Sequence, residues 1–414
     1  MFLSQVLEED GACRETLRKF LAWLALEKNK SASPRTAAYC KARKRLRLED
    51  VEDVHHHVVR NIEGRANAKD WWCGRPVKVI DGSSVSMPDT PANQDKYPQP
   101  KTQQPGCGFP VMRIVAVFSL ATGVLLDLAK GPLSVHERPL FRKLWDRFEP
   151  GDVALADCGF CSYADFFYLR ERGVDSVMRN HQRRKKGLTP LKRLGKNDRL
   201  VAWHKTKVHQ RPKWVSKARW EAMPERLTVR ELTVHVDVPG FRTNTILIVT
   251  TLLDPKAFPP RALAQLYRRR WAVELYLRHI KTTMGMDVLR CKSPDMIEKE
   301  LWMHLIAYNL IRALMLDAAT AYAVHLERLS LKGTIATIRQ WAPTLAKPQS
   351  EPEGPAALYQ LMLYYIAADP VPNRPDRTEP RARKRRPKNY QLLNKPRRLF
   401  RESQHRNRYQ KSKS

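Results

Sequence analysis

The sequence predicts an α/β fold: a mixed β-sheet flanked by helices, interrupted by a β-rich insertion, with a helical N-terminal module and a basic C-terminal tail. Short apolar segments separated by Gly and Pro begin near residue 76 and alternate with helical patterns. Helical sequence with few strand signals precedes this region, and a strongly basic segment follows it. Because the chain has 414 residues, we expect more than one module.

The chain is strongly basic, with 75 Lys and Arg against 42 Asp and Glu and a formal charge of +33. Such a charge indicates a polyanionic partner, most simply nucleic acid. Hydrophobic residues make up 43% of the chain, which excludes a wholly disordered basic protein. We predict a cytoplasmic protein with no membrane partner, because no segment is typical of a membrane span or a signal peptide. Seven scattered cysteines favour reduced thiols.

Residues 1–70 are predicted to form a helical DNA-binding module. Apolar side chains recur at helical spacing over 16–26, and a basic segment follows over 35–47. A merely solvated basic helix face is the alternative interpretation of that charge.

Residues 71–181 are predicted to form the first part of a core sheet. The pattern is three strands, a helix, a strand, a helix and a strand, with strands at 77–80, 111–120, 124–128, 153–156 and 176–178. This order is compatible with a ribonuclease H-like core and also with several other α/β folds.

Residues 182–245 interrupt this pattern with basic and alternating sequence, which we interpret as a β-rich insertion. A buried strand then opens the second part of the core, 246–330, and helices are predicted from residue 260 to about 283 and over 297–325. A C-terminal helical region at 331–369 precedes the tail. The tail, 370–414, carries 16 Lys and Arg against 3 Asp and Glu, which is typical of a disordered arm.

The helix predicted at 260–283 carries four polar side chains in one narrow sector. At about 100° per residue, one face presents the Glu274 carboxylate between a phenol and two cations, those of Tyr267, Arg270 and Lys281. An adjoining apolar stripe can pack on the sheet. A surface helix with ordinary ion pairs is the alternative.

Two aspartates, Asp81 and Asp157, directly follow predicted buried strands, where α/β folds place ligand and catalytic groups. Each alone would more often be a turn or cap residue. Together with Glu274, however, they supply the hard oxygen ligands that two Mg²⁺ or Mn²⁺ ions require to cleave a phosphodiester.

These residues resemble those of a known family, the DDE transposases of bacterial insertion sequences, and within it the group named for insertion sequence four. The likeness rests on the spacing Tyr-x2-Arg-x3-Glu-x6-Lys from Tyr267 to Lys281, with Trp271 directly after the arginine. The blocks 81–94, 106–110 and 157–160 are also similar to family segments, and the similarity extends from about residue 36 to 397.

The resemblance implies a ribonuclease H-like core in which Asp81, Asp157 and Glu274 bind two metal ions, Mg²⁺ or Mn²⁺. It implies phosphate contacts from the segment around Glu274, made by Tyr267, Arg268, Arg270, Trp271 and Lys281. It further implies cut-and-paste transposition: nicking at the element's ends, hairpin formation and opening, and strand transfer. The expected partners are the terminal inverted repeats, the target DNA and a second copy of the chain in a synaptic complex, on the bacterial nucleoid.

Two details leave alternatives open. Relatives usually carry arginine directly after the second aspartate, where this chain has Cys158. This departure raises the alternative of a catalytically impaired, transposase-derived DNA-binding protein. Another ribonuclease H-like nuclease is a second, separate alternative. An aromatic residue of the insertion stacks on a flipped base in relatives, which makes Trp203, Trp214 and Trp220 candidates, although packing is the more usual role of each.

Overall fold

The structure is a computed structural model of the full chain. It describes residues 1–8, 11–28, 32–66, 68–181, 190–235, 245–345 and 354–372, and residues 393, 395, 396 and 399. Almost all of the predicted basic tail therefore lies outside the described residues, as do both ends of the predicted insertion.

Strands β1 to β9 lie in one sheet. Their bounds are Val77–Ser86, Val111–Ser119, Leu125–Pro132, Val153–Ala156, Asp175–Arg179, Pro190–Gly195, Asp198–His204, Arg226–His235 and Thr245–Thr250. The spatial order is β3-β2-β1-β4-β5-β9-β8-β7-β6. The strands β1 to β3 form an antiparallel meander, while β4 and β5 run parallel to β1. The predicted ribonuclease H-like mixed sheet is confirmed.

Helices precede, connect and follow these strands. Helices α1 to α13 span Phe2–Leu7, Cys13–Lys28, Ala37–Arg45, Leu48–Glu63, Pro91–Lys96, Glu137–Arg142, Tyr163–Glu171, Lys217–Ala222, Pro260–Arg269, Ala272–Arg278, Pro294–Ala321, Leu331–Leu345 and Gly354–Ala367. In the part of the chain that the structure describes, no helix is long and apolar enough to cross a membrane.

The two faces of the sheet are buried by different helices because side chains alternate along each strand. On β1, Val79 faces a core that includes α10 and α11, whereas Ile80 faces the opposite core, which includes α6 and α7. Helix α11 is buried along most of its length and also packs against α1 and α4. Helices α1 and α4 thus share the core of the sheet rather than standing apart from it.

Strands β6, β7 and β8, which fall within the predicted insertion, extend this same sheet through β9. An ion pair buried between β7 and β8 links them to the remaining chain. The Arg230 guanidinium donates to Asp198 at 2.8 and 2.5 Å and to the carbonyl of Phe258 at 2.8 Å. Because Phe258 lies just before α9, this pair connects the added strands to the start of that helix.

Candidate active site

The sheet brings the two candidate aspartates to the same place. Strands β1 and β4 pair in parallel up to Val79 opposite Leu155. Two residues further along each strand, the same register sets Asp81 opposite Asp157, on the face covered by α10 and α11. The strand predicted to end at Ile80 continues to Ser86. This extension pairs with β2, and Ser86 also forms a parallel bridge with Val288. Asp81 therefore lies where the parallel pairing stops, not where β1 ends.

The Asp81 carboxylate is held in an environment that disfavours its charge. Burial raises the pKa of Asp81 to about 6, and the negative charges of Glu274 and Glu137 act in the same direction. The backbone N–H of Gly82 donates to Oδ1 at 2.8 Å, and this bond and the charge of Arg270 oppose the shift. Crowded carboxylates with a shortage of positive charge are what a cation-binding site needs.

The helix that carries Glu274 is not the continuous helix predicted from the sequence. Helix α9 ends at Arg269 and α10 begins at Ala272. Around this break, four amides bond to carbonyls three residues earlier, and these amides are those of Arg270, Trp271, Val273 and Glu274. Residues His279–Thr283 then form a π-helix. The backbone is thus wound more tightly than an α-helix at Arg270 and more widely at His279–Thr283. Such departures from α-helical geometry recur at functional sites.

Despite this irregularity, Tyr267 and Lys281 contact residues in or directly after strands of the sheet, and Arg270 and Glu274 pair with each other. Tyr267 Oη donates to Asp157 Oδ1 at 3.4 Å, and Arg270 Nη2 lies 3.2 Å from Glu274 Oε1. Lys281 Nζ donates to Ser83 Oγ at 2.8 Å. Tyr267 and Arg270 are buried, whereas half of the Glu274 side chain is exposed.

A cleft of about 1570 Å³ opens along this segment. Asp81, Glu274 and Lys281 line it, together with Ser83 and Trp271. The cleft therefore gives a large ligand access to the exposed carboxylate and to the lysine. Asp157 and Arg270 lie behind this lining.

The donor set suits a hard divalent cation, since Asp81, Asp157 and Glu274 offer only carboxylate oxygens. Within the described residues, however, no three His, Cys, Asp or Glu side chains are close enough to hold one metal ion. Glu274 is paired with Arg270 in this arrangement. The carboxylates therefore have the right chemistry for a divalent cation, but the three are not gathered around one point in this arrangement.

The other residues predicted to contact DNA differ in their exposure. Arg268 is exposed on α9, and the Arg270 guanidinium lies 5.1 Å from the ring centre of Trp271. Among the three tryptophans, Trp203 and Trp220 are buried in the core. Trp214 is more exposed, and the Arg142 guanidinium lies 3.9 Å from its ring centre.

Two polar residues near the site were not singled out from the sequence. Ser83, two residues beyond Asp81, binds Lys281, and its strand alternation could have indicated that it shares the face of Asp81. Arg179 ends β5, next to β4. Burial and Asp157 raise the pKa of the Cys158 thiol, and the charge of Arg179 opposes this shift. A cation therefore acts at Cys158 although residue 158 is not itself basic.

A ribonuclease H-like sheet that sets an aspartate of β1 opposite the aspartate directly after β4, beneath a helix that carries a glutamate, is typical of a DDE-type nucleic-acid enzyme. The sequence profile described as the transposase DDE domain matches residues 72–310, and the chain belongs to this family. It is a DNA transposase, an enzyme that cleaves and joins DNA, and divalent metal ions are the general cofactors of its family.

Two bacterial relatives agree with this assignment, and one solved structure shows a similarity only. The chain is 28% identical over 366 residues to the transposase InsG for insertion sequence element IS4 of Escherichia coli K12, covering 86% of this chain and 77% of that protein. It is 26% identical over 140 residues to the putative transposase InsZ of the same organism, covering 34% of this chain and 47% of that protein. A piggyBac transposase in a synaptic complex with hairpin DNA aligns with a TM-score of 0.39 and 8% identity, over 73% of this chain and 59% of that chain.

Proposed function

We propose that this transposase moves its own insertion sequence by a cut-and-paste route, with Asp81, Asp157 and Glu274 as its metal-binding catalytic residues. The observation that carries the proposal is the register that sets Asp81 opposite Asp157 beneath the helix that carries Glu274. The proposed steps are nicking at the element's ends, hairpin formation and opening, and strand transfer.

The proposed cofactor is a pair of Mg²⁺ or Mn²⁺ ions, which would activate the attacking hydroxyl and stabilise the leaving oxygen. Asp81 is common to both ligand pairs, with Asp157 on one side and Glu274 on the other. A cation bound by Glu274 would compete with Arg270 for its carboxylate, and the guanidinium released in this way would turn toward a DNA phosphate.

The proposed phosphate contacts come from the same segment. Tyr267 orients Asp157 through its hydroxyl, and Lys281, held by Ser83, presents its ammonium group in the cleft. Arg268 and Trp271 flank them, one exposed and one lining the cleft. Cationic and phenolic donors position the DNA backbone without reading its sequence.

The proposed DNA partners are the terminal inverted repeats of the element and its target, bound by a homodimer in a synaptic complex on the bacterial nucleoid, in the cytoplasm. The formal charge of +33 supports extensive contact with phosphates. We keep 1–70 as the proposed DNA-binding module and the predicted boundaries at 71–181, 182–245, 246–330, 331–369 and 370–414.

A plasmid assay tests the catalytic proposal. Supercoiled plasmid carrying both ends of the element is incubated with the wild type and Mg²⁺, and we expect double-strand breaks at the ends. The control is Glu274→Gln, which can still accept from Arg270 but offers one oxygen instead of a carboxylate. If both proteins bind the ends and neither cuts them, the catalytic proposal is wrong for this chain.

One observation favours a second candidate function, a catalytically impaired DNA-binding protein. Cys158 replaces the arginine that usually follows the second aspartate in relatives. Binding of the ends without cleavage by the wild type would support this alternative. Cleavage of branched DNA without preference for the ends would instead indicate a structure-selective nuclease.

The lysine in the cleft gives a separate prediction about binding. Lys281→Gln should weaken binding of all DNA sequences alike and lower the slope of log affinity against log salt by about 1, since one phosphate contact is lost. Fluorescence anisotropy at several salt concentrations measures both quantities. Lys332→Gln, which changes an exposed lysine on α12, is the matched control and should change neither.

A further inference from the structure

Glu137, the first residue of α6, reaches the catalytic strand ends from the face of the sheet opposite to Asp81. Gly82 lies on that opposite face, because it alternates with Asp81 along β1. A Cβ placed on Gly82 would lie 2.5 Å from Glu137 Oε1 and would also contact its Cδ. The carboxylate of Glu137 thus occupies the space left by the missing side chain of the residue after Asp81.

The same carboxylate also approaches the second aspartate. A Cβ on Gly159 would lie 4.0 Å from Glu137 Oε2. Glu137 Oε1 therefore lies beside Gly82, the residue after Asp81. Glu137 Oε2 lies beside Gly159, two residues after Asp157. The Glu137 carboxylate thus lies between Gly82 of β1 and Gly159 in the turn after β4.

The charge of Glu137 is only partly compensated. Arg113 Nη1 lies 3.5 Å from Glu137 Oε1, beyond a strong ion pair, and 36% of the glutamate side chain is exposed. Its negative charge acts on Asp81, in addition to the larger effect of burial. A partly solvated carboxylate at this distance adds to the negative potential at both strand ends.

We propose that Glu137 is a positioning residue of the catalytic metal centre: it sets the spacing of the segments that carry Asp81 and Asp157 and adds negative charge that strengthens cation binding. This role rests on the proposed function. Groups behind the direct ligands commonly orient them and tune the affinity of the site for its metal. The proposal also explains glycine at position 82, where any side chain would displace this carboxylate.

A simpler role must be separated from this one. An acidic residue in the first turn of a helix stabilises the helix end, and Glu137 occupies such a position in α6. That role affects the thermal stability of the protein but does not affect its affinity for a divalent cation. Metal affinity is therefore the decisive measurement.

Mn²⁺ binding to the full-length protein, followed by electron paramagnetic resonance of the free ion, provides that measurement. We expect Glu137→Gln, which keeps the shape and removes the charge, to weaken Mn²⁺ binding about 10-fold, and Glu137→Ala to weaken it up to about 100-fold. Plasmid cleavage by Glu137→Gln should recover at raised Mn²⁺ concentration. The matched control is Glu221→Gln, an exposed glutamate on α8, which should bind Mn²⁺ like the wild type.

The glycine provides an independent variant. Gly82→Ala should weaken Mn²⁺ binding because its new methyl group displaces Glu137. Combining Gly82→Ala with Glu137→Ala should weaken binding no more than Glu137→Ala alone, since the methyl group then enters vacated space. Additive losses in the double variant would contradict the shared role of the two residues.

The outcomes distinguish this role from the proposed function. If the wild type binds Mn²⁺, Asp81→Asn does not and Glu137→Gln binds as the wild type does, the metal centre stands and the role of Glu137 is wrong. If the wild type binds no Mn²⁺, the metal centre is wrong, and the role of Glu137 is overturned with it.

Discussion

Asp81→Asn is expected to eliminate strand cleavage while making the metal-free protein more stable. Asparagine keeps the size of the side chain but removes the charge that both proposed ligand pairs share. Loss of a central metal ligand should slow cleavage at least about 1000-fold, which corresponds to about 4 kcal/mol of transition-state stabilisation. The plasmid assay measures this loss, and thermal unfolding of the metal-free protein measures the gain in stability.

The gain in stability follows from the direction of the pKa shift. Burial raises the pKa of Asp81 from 3.8 to about 6, so the ionised carboxylate is less favourable in the folded than in the unfolded protein. The fold is therefore most stable, with respect to this group, below about pH 4, and it loses stability as the pH rises through about 6. The loss is about 1 to 3 kcal/mol at neutral pH.

The Asp81→Asn protein should not show this loss of folding stability as the pH rises from 4 to 6. Mg²⁺ should offset the loss in the wild type and have no such effect in Asp81→Asn, because a ligand that binds only the folded state stabilises it. Asp95→Asn, an exposed aspartate on α5, is the control. A metal-free Asp81→Asn protein less stable than the wild type at pH 8 would contradict the assignment of Asp81 as a strained, cation-binding carboxylate.

The core sheet could be predicted from sequence because its strands are apolar runs bounded by Gly and Pro. The strand predicted at 153–156 has the bounds that the structure shows for β4. The extension of β1 from Asp81 to Ser86 was missed, since Val85 is the one apolar side chain of size in that half of the strand. It is held by antiparallel pairing with β2, and such tertiary pairing leaves no apolar pattern in the strand itself.

The residues of the candidate site could be predicted from the sequence, but the backbone conformation of the segment that carries Glu274 could not. Fixed spacing assigned Tyr267, Glu274 and Lys281 to one face, and their side chains do reach the strand ends or the cleft. The tightened turn at Arg270 could not be foreseen, because helical periodicity assumes a constant 3.6 residues per turn. Glu137 could not be found either, since no spacing in sequence relates it to Asp81.

The added strands show a further limit of sequence patterns. Arg230 lies in an alternating segment, 227–236, where a charged residue is expected to face solvent. The structure instead buries its side chain completely, against an aspartate that is also buried. The partner comes from 32 residues earlier in the chain, and alternation within one strand carries no information about such a partner.

Arg230→Met is expected to destabilise the protein by about 3 to 5 kcal/mol, because it leaves the buried Asp198 carboxylate without its partner. The double variant Asp198→Leu with Arg230→Met should lose only about 1 to 3 kcal/mol, mainly from the Phe258 carbonyl that no longer has a donor. Urea denaturation and thermal unfolding measure both changes. The control is Arg172→Met, in an exposed pair with Asp146, which should cost less than about 1 kcal/mol.

The same pair should also affect catalysis through the start of α9. Arg230 holds the carbonyl of Phe258, and α9, which begins two residues later, carries Tyr267 to the Asp157 carboxylate. Freed from this anchor, the double variant should cleave more slowly than the wild type at a temperature where both are folded, since small displacements of catalytic groups are costly. Full cleavage by a folded double variant would show that β7 and β8 do not position α9.

The stability prediction has its own contrary outcome. If the double variant were as unstable as Arg230→Met alone, the buried charge of Asp198 would not be the cause of the lost stability.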